Sequence, residues 1–557
     1  MKALLVTAIA LSFAFPASSQ QAASSRSANT RAFTKELQDY FKLLALPGMS
    51  VAVVHDGKTI YRMNQGYADV ENKIAVKDDA IFAIASVTKT FSGVMMMQYE
   101  QEGKISLDDY LLSYPFDSQL FSPHFVDPDT RLKHVLSMTS GGVPGKTFSY
   151  DGGRFGLLAG VFEKESGHNE AQQAYAAEVE ARILRPLHLR STFDGWAAKP
   201  SELTSRVVKR YDVASGKDGL VFTNVPYDAD SEYPGPAAGL FSTIDDLAAY
   251  AAGLDDDKLI SHEKYVEMTS PFPHGRSREI PYGFGWLTQE YHGIRLNWAY
   301  GEGNQDAALF LRVPDRKLTF IFLSNNAFPS HASRLQSGNV LRSPLAIAFI
   351  KHFVLERESN APVIDYDADA GAIRKTFLSA GNKLDPIYFE ELYTQALVRN
   401  YMRTALNTTS QQPERLTKLL YDLYPQSFDT GDSPLLVLLS RIDTSGLHNA
   451  ADRLLRSFDT TSDVRPEVLY FLGKYYEHTG DTVSAMKYYH SLADRPDFVD
   501  EGAKIDASLL LGRYYVRKGD AKTGREYIWK SALGASDAHW GSGYLTDMLA
   551  ELNQVRN

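Results

Sequence analysis

Three serines in this chain stand three residues before a lysine: Ser86 before Lys89, Ser261 before Lys264, and Ser484 before Lys487. In a helix that spacing puts hydroxyl and amine on one face, a turn apart. Such a hydroxyl becomes a nucleophile when the amine can take its proton. A lysine ordinarily titrates near 10.4, so the amine must be buried or lie beside another cation to act as a base at neutral pH. A helix start adds unpaired N–H groups and a positive partial charge where an oxyanion would form. The pattern alone is cheap, and its surroundings must separate the three copies.

Ser261 opens a polar helix, Ser261-His262-Glu263-Lys264-Tyr265, as a good N-cap with Glu263 near the capping-box position. Ser484 falls on the second helix of a repeat, beside Tyr488 and Tyr489. Both are read as structural. Ser86 opens an amphipathic helix whose apolar face runs through Phe91, Val94, Met95, Gln98 and Tyr99. Met95, Met96 and Met97 read as core filler rather than as ligands.

The elements around it alternate strand and helix. Met49 to His55 is β-rich, Asp56-Gly57-Lys58 is a turn, and Thr59 to Arg62 returns, which predicts a hairpin. A second hairpin is expected from Asp306–Arg312, the turn Val313–Lys317 and Leu318–Ser324. Helices between two β-rich ends predict a sheet completed by both ends of one domain, whose last helix runs from about Ser333 to Glu356. Residues 357–368 read as a linker. From 369 to 557 only helical periodicity remains. There Leu472-Gly473-Lys474-Tyr475-Tyr476 with Gly480-Asp481 recurs 39 residues on as Leu511-Gly512-Arg513-Tyr514-Tyr515 with Gly519-Asp520, and Gly446 and Ala451 precede Gly480 and Ala485 by 34. Helix, glycine turn and helix at that period resemble tetratricopeptide repeats.

With 557 residues, 44% hydrophobic and 23% charged, the chain is long enough for two or three globular domains. A net charge of −10 with no basic run argues against nucleic acid. Met1-Lys2, the apolar run Ala3–Phe15 and Pro16-Ala17-Ser18-Ser19 read as a signal peptide over 1–19, too short to span a bilayer. A Ser/Ala-rich flexible tether is expected over 20–31. The chain has no cysteine, which excludes disulfides, a thiol nucleophile and thiolate zinc. The histidines have no metal-ligand spacing and no phosphate loop follows a strand. No metal, no cofactor, and a bacterial periplasmic or secreted location are expected.

Residues 32 to about 350 resemble, in order and at matching spacing, the serine hydrolases related to class C β-lactamases, penicillin-binding proteins and family VIII esterases. The resemblance rests on Pro47-Gly48, Gly66-Tyr67-Ala68-Asp69, Ile84-Ala85-Ser86-Val87-Thr88-Lys89, Glu102-Gly103-Lys104-Ile105-Ser106-Leu107-Asp108-Asp109, His134 to Gly141, Gly239-Leu240-Phe241-Ser242-Thr243 and Leu323-Ser324-Asn325. It implies an α/β (α+β) domain over 32–356, an antiparallel sheet flanked by helices. It also implies Ser86 as the acylated nucleophile and Lys89 as its proton partner. Tyr150, in Phe148-Ser149-Tyr150-Asp151-Gly152, matches the tyrosine of a Tyr-x-Asn motif that passes a proton to the leaving group. Gly152 replaces the asparagine that holds a substrate amide. The third motif, Lys-Thr-Gly or His-x-Gly, becomes Ala299-Tyr300-Gly301 or, with the turn shortened by one, Tyr300-Gly301-Glu302. In either register the cation that greets a substrate carboxylate is missing. The strand should supply an oxyanion N–H from Glu302 or Gly303, a glycine at 301 would let substrate approach the backbone, and Trp298 with Tyr300 would line an acyl pocket or the core.

An intact nucleophile pair beside altered substrate-holding motifs points to a hydrolase of ester or D-amino-acid peptide type acting through a Ser86 acyl-enzyme. Its substrate would be a small ester, a peptide or a cell-wall fragment, and the repeats would offer a surface to a protein or peptide. The alternatives are a true β-lactamase and a catalytically silent scaffold binding peptidoglycan or protein.

Overall fold

The structure, a computed structural model, describes residues 17–115, 126–227, 235–274, 280–355, 364–423, 466–493 and 501–537, with exceptions at 142, 147, 169, 197–199, 382–383 and 409, and also 548, 550 and 552–553. Residues 1–16 of the expected signal peptide, residues 357–363 of the expected linker, and the faint repeat unit at Gly446 and Ala451 lie outside the described residues.

The first helix, α1, runs Ala17–Leu43. The expected tether is therefore helical, because no glycine or proline interrupts a stretch rich in Ala, Gln, Arg and Ser. Its second half is held by Phe33, Leu37 and Tyr40, a buried face at helical spacing. Phe33 meets Tyr61 and Phe320 edge-on, with ring centroids 4.9 and 6.4 Å apart.

Among the described residues twelve strands follow: β1 Gly48–His55, β2 Lys58–Asp69, β3 Ile74–Ala75, β4 Phe82–Ala83, β5 Phe193–Asp194, β6 Arg210–Gly216, β7 Gly219–Val225, β8 Leu240–Ser242, β9 Leu287–Tyr291, β10 Ile294–Glu302, β11 Ala307–Val313 and β12 Leu318–Ser324. Seven form one antiparallel sheet in the order β3-β2-β1-β12-β11-β10-β9. As expected, the two ends of the domain close it, with β1 beside β12 from Met49↔Ser324 to His55↔Leu318. The first hairpin turns on two residues, not three: Asp56 and Gly57 have φ of 49° and 70°, the left-handed pair that matches strand twist, and Lys58 already belongs to β2. Smaller sheets, β4-β8-β5 and β6-β7, cover the same domain.

The tight turn at Ala85–Val87 lies against β10 and β11 and opens α2, Thr88–Gln101. This helix is buried from Thr88 through Met97, the three methionines fully so. A helix enclosed on every side makes any polar group in its first turn a buried one. The expected long helix over 333–356 is instead broken into Phe328–Ser333, short turns, Pro344–Phe349 and a wider turn at Ile350–Val354. Gly338 at φ 78° and Pro344 at a new helix start supply the breaks.

Beyond 364 the described chain is all helix. The helix Ile387–Ala405 packs onto the sheet domain: Thr394 donates to the Leu341 carbonyl (2.9 Å), Arg342 bonds Glu390 (2.8 Å), and Lys351 sits between Glu391 (2.5 Å) and Glu36 of α1 (2.9 Å). Tyr366, within the expected linker, is buried. Two helical hairpins follow, Pro466–His478 with Thr482–Ala493 and Glu501–Arg517 with Ala521–Asp537. The recurring glycines have matched tasks. Gly480 and Gly519 turn each hairpin at φ 82° and 86°, and Gly473 and Gly512 let the second helix approach, where a Cβ would meet Tyr489 or Ile528 at 2.4 or 2.5 Å.

Candidate active site

Ser86 sits in the Ala85–Val87 turn, partly exposed, and Lys89 lies one turn on in α2, only 1% exposed. Lys89 Nζ donates to Ser86 Oγ (2.8 Å) and to the Ala237 carbonyl (2.8 Å). The rings of Tyr150 and Phe155 enclose the amine at 5.3 and 5.5 Å. Burial without an ion-paired carboxylate pushes its pKa down to about 7, against a weaker upward pull from Asp151. The residue before Ser86, Ala85, holds φ at 43°, a left-handed conformation costing an alanine about 1 kcal/mol. That strain turns the chain sharply from β4 into α2 and presents Ser86 at the bend.

The other two pairs are built differently. Ser261 caps the helix His262–Thr269 by accepting from the Lys264 N–H, and the Lys264 amine is claimed by Glu100 and Glu267, both at 2.7 Å. Ser484 bonds Asp481 (2.8 Å) on an exposed helix start. Neither lysine can serve its serine as a base. His134 is packed, its Nδ1 accepting from the Arg131 N–H at 3.1 Å.

Tyr150 enters from the loop ahead of the short helix Gly152–Phe155, which Asp151 caps by accepting from the Arg154 N–H. Its hydroxyl lies within hydrogen-bonding reach of Ser86, and burial raises its pKa well above the ordinary tyrosine value. Tyr150 stacks on Tyr300 (centroids 5.5 Å) and meets Tyr282 edge-on (6.0 Å). Gly152 has a role beyond a missing amide contact. A Cβ there would stand 3.8 Å from Lys89 Nζ, so glycine leaves the amine without a side-chain partner on that side.

The residues of the third motif, Ala299 to Glu302, lie at the end of β10. A Cβ on Gly301 would lie 2.3 Å from the Ile84 carbonyl, so this glycine admits the turn that carries Ser86. The Gly303 N–H is taken by the Asp306 carbonyl at 2.9 Å, which removes Gly303 as an oxyanion donor. Antiparallel alternation then turns the Glu302 N–H away from β11. On that side β9 pairs with β10 only as far as Trp298, so the edge beside Glu302 is not covered by β9, and β10 runs beside the Ala85–Val87 turn. Trp298 is fully buried behind Tyr300, centroids 6.0 Å apart, and packs in the core instead of lining a pocket. Sequence reasoning missed Ala237, whose carbonyl holds Lys89, and Tyr282. A signal for Ala237 was its place just ahead of the Gly239–Thr243 run.

The Beta-lactamase family model matches residues 34–341, more than half of the chain. The chain belongs to this family. Among curated relatives, the D-aminopeptidase of Gluconobacter oxydans is 21% identical over 330 residues, 54% of this chain and 60% of that protein. The Beta-lactamase of Escherichia coli K12 is 23% identical over 347 residues, 52% of this chain and 86% of that one. The solved octameric penicillin-binding protein homologue from Pyrococcus abyssi overlays with a TM-score of 0.47 at 20% identity, covering 59% of this chain and 77% of that one. The antiparallel sheet flanked by helices, with a helical C-terminal region beyond the matched span, is thus a β-lactamase/transpeptidase-like fold with an addition. Among the described residues, no group of three or more His, Asp or Glu could hold a metal ion, and no helix is long and apolar enough to cross a membrane.

Proposed function

We propose that this protein is an exported serine hydrolase that cleaves an ester or amide bond through an acyl-enzyme on Ser86. The observation that carries the reading is the Lys89 amine, enclosed, with a pKa of about 7, and 2.8 Å from Ser86 Oγ. As the neutral amine it takes the Ser86 proton while Oγ attacks the carbonyl carbon. The oxyanion gathers between the N–H groups of Ser86 and Glu302. Tyr150, held as a protonated phenol by burial, gives its proton to the departing oxygen or nitrogen and recovers one from the Lys89 ammonium. Water then attacks the acyl-enzyme with Lys89 again as base, and Ser86 is released. The missing cation at 299 and the missing amide at 152 favour an ester or a D-amino-acid peptide over a β-lactam, and a cell-wall-derived peptide fits an exported location. The helical hairpins are proposed as tetratricopeptide-like units that bind a protein or peptide.

The test is a fluorophosphonate probe, a chromogenic short-chain ester and a chromogenic cephalosporin, each given to the wild type and to Ser86→Ala. The expected result is labelling and ester turnover that vanish in the variant. No labelling of the wild type would sink the hydrolase reading in favour of a silent scaffold. Faster cephalosporin than ester turnover would make it a β-lactamase.

A further inference from the structure

The open end of β10 carries a charge as well as a backbone donor. Trp298, Tyr300 and Glu302 alternate onto one face of the strand. Tyr300 on that face stacks against Tyr150, and the Glu302 carboxylate is near enough to push both phenols upward in pKa. Its side chain is 35% exposed, with His331 Nε2 at 3.5 Å from Oε1. Among the described residues, two nearby cations, Lys89 and Arg154, are occupied. Lys89 is enclosed and bonded to Ser86 and Ala237, while Arg154 Nη1 bonds the Ser140 carbonyl and its Nε faces Asp151 at 3.7 Å.

We propose that Glu302 makes this site select substrates bearing a positive charge beside the scissile acyl group, such as a quaternary or primary ammonium, and reject those bearing a carboxylate there. The inference rests on Ser86 being the acylated nucleophile. Because the Glu302 N–H is the proposed oxyanion donor, its carboxylate sits on a residue that meets the reacting carbonyl, and a side chain of that length can reach a charge several bonds away from it. At that range, beside low-dielectric aromatic walls, a unit charge separates cationic from anionic substrates far more than in bulk water. The half-exposed His331 contact leaves the carboxylate reachable, in contrast to an ion pair closed off in the core.

The experiment uses three thioacetates of equal size, with a trimethylammonium, a tert-butyl or a carboxylate terminus, on the full-length protein, with Ser86 occupancy titrated by a fluorophosphonate. The wild type should prefer the ammonium ester to its neutral isostere by about tenfold or more in kcat/KM, with the carboxylate ester slowest. Glu302→Gln keeps the backbone donor and should bring the three rates to within about threefold. Should that variant fail to fold, the wild-type preference must still shrink as ionic strength rises from low to high salt. A wild-type preference for the carboxylate, or an ammonium preference that is absent, insensitive to salt or unchanged in Glu302→Gln, overturns the inference while labelling at Ser86 leaves the hydrolase reading intact. Absence of labelling at Ser86 overturns both.

Discussion

Among the described residues two lysines are almost wholly buried, Lys89 at 1% exposure and Lys351 at 2%, and burial does opposite things to them. Lys351 is clasped by Glu391 and Glu36 at 2.5 and 2.9 Å. Burial alone would lower its pKa, but those two carboxylates outweigh it and hold the value above that of a free lysine. Lys89 has only a hydroxyl and a carbonyl for partners, and burial wins. The first lysine is a permanent cation that ties α1, the Ile350–Val354 turn and the helix Ile387–Ala405 together. The second can be neutral near pH 7, where the proposed mechanism asks it to accept a proton. What separates structure from chemistry is the partner, not the depth.

The comparison breaks first at catalysis. Replacing Lys89 by Met keeps the shape and removes the base, and kcat/KM for a neutral ester should fall by about 10²–10⁴-fold with little change in the unfolding midpoint. A variant with near wild-type turnover would mean that another group takes the Ser86 proton. Lys351→Met should do the reverse. It strands two carboxylates, costing about 3–5 kcal/mol in denaturant unfolding, while the kcat of the folded fraction, counted by probe labelling, stays as in the wild type. The same cluster predicts acid sensitivity. Burial pushes Glu36 up, yet Lys351 and His352 hold it at about 2, below its ordinary 4.5. A carboxyl with a lowered folded-state value stabilises fully above about pH 4.5 and loses that contribution as pH falls toward 2. Lys351→Met should flatten that part of the stability profile.

The Ser86–Lys89 half of this contrast was legible in the sequence as a spacing. Ser86, Lys89 and Tyr150 sit in runs whose spacing fixes a helix turn and a loop, and the paired hairpins announced a sheet closed by its two ends. The Lys351 cluster was not legible, because Glu36, Lys351 and Glu391 lie more than 300 residues apart at their extremes and nothing local marks them as partners. Trp298 was ambiguous for a related reason. Alternation along β10 puts it on the face of Tyr300 but is silent on how far the neighbouring elements extend over that face. The oxyanion register needed the hairpin itself, since one bond from Gly303 to Asp306 decides which N–H groups along the strand stay free. The helical tether was misread because Ser and Ala serve a loop and a helix equally well until a buried face such as Phe33, Leu37 and Tyr40 anchors one end.

The finest test converts one lysine's surroundings toward the other's. With Lys89 titrating at about 7, kcat/KM on a neutral ester should fall about tenfold per pH unit below 7, because the protonated amine cannot accept the Ser86 proton. Gly152 offers the place to add a carboxylate, as a Cβ there meets only Lys89 Nζ, at 3.8 Å. Gly152→Asp should favour the ammonium form and move the acidic limb upward by about 1–3 pH units. Activity would drop at pH 7 and recover at higher pH, whereas a variant that merely disturbed the loop would lose activity at every pH. The uncharged Gly152→Asn should shift the limb less, which separates the effect of charge from that of a filled space. If the limb stays near 7 in Gly152→Asp, the group that titrates there is not Lys89, and the contrast with Lys351 is one of packing alone.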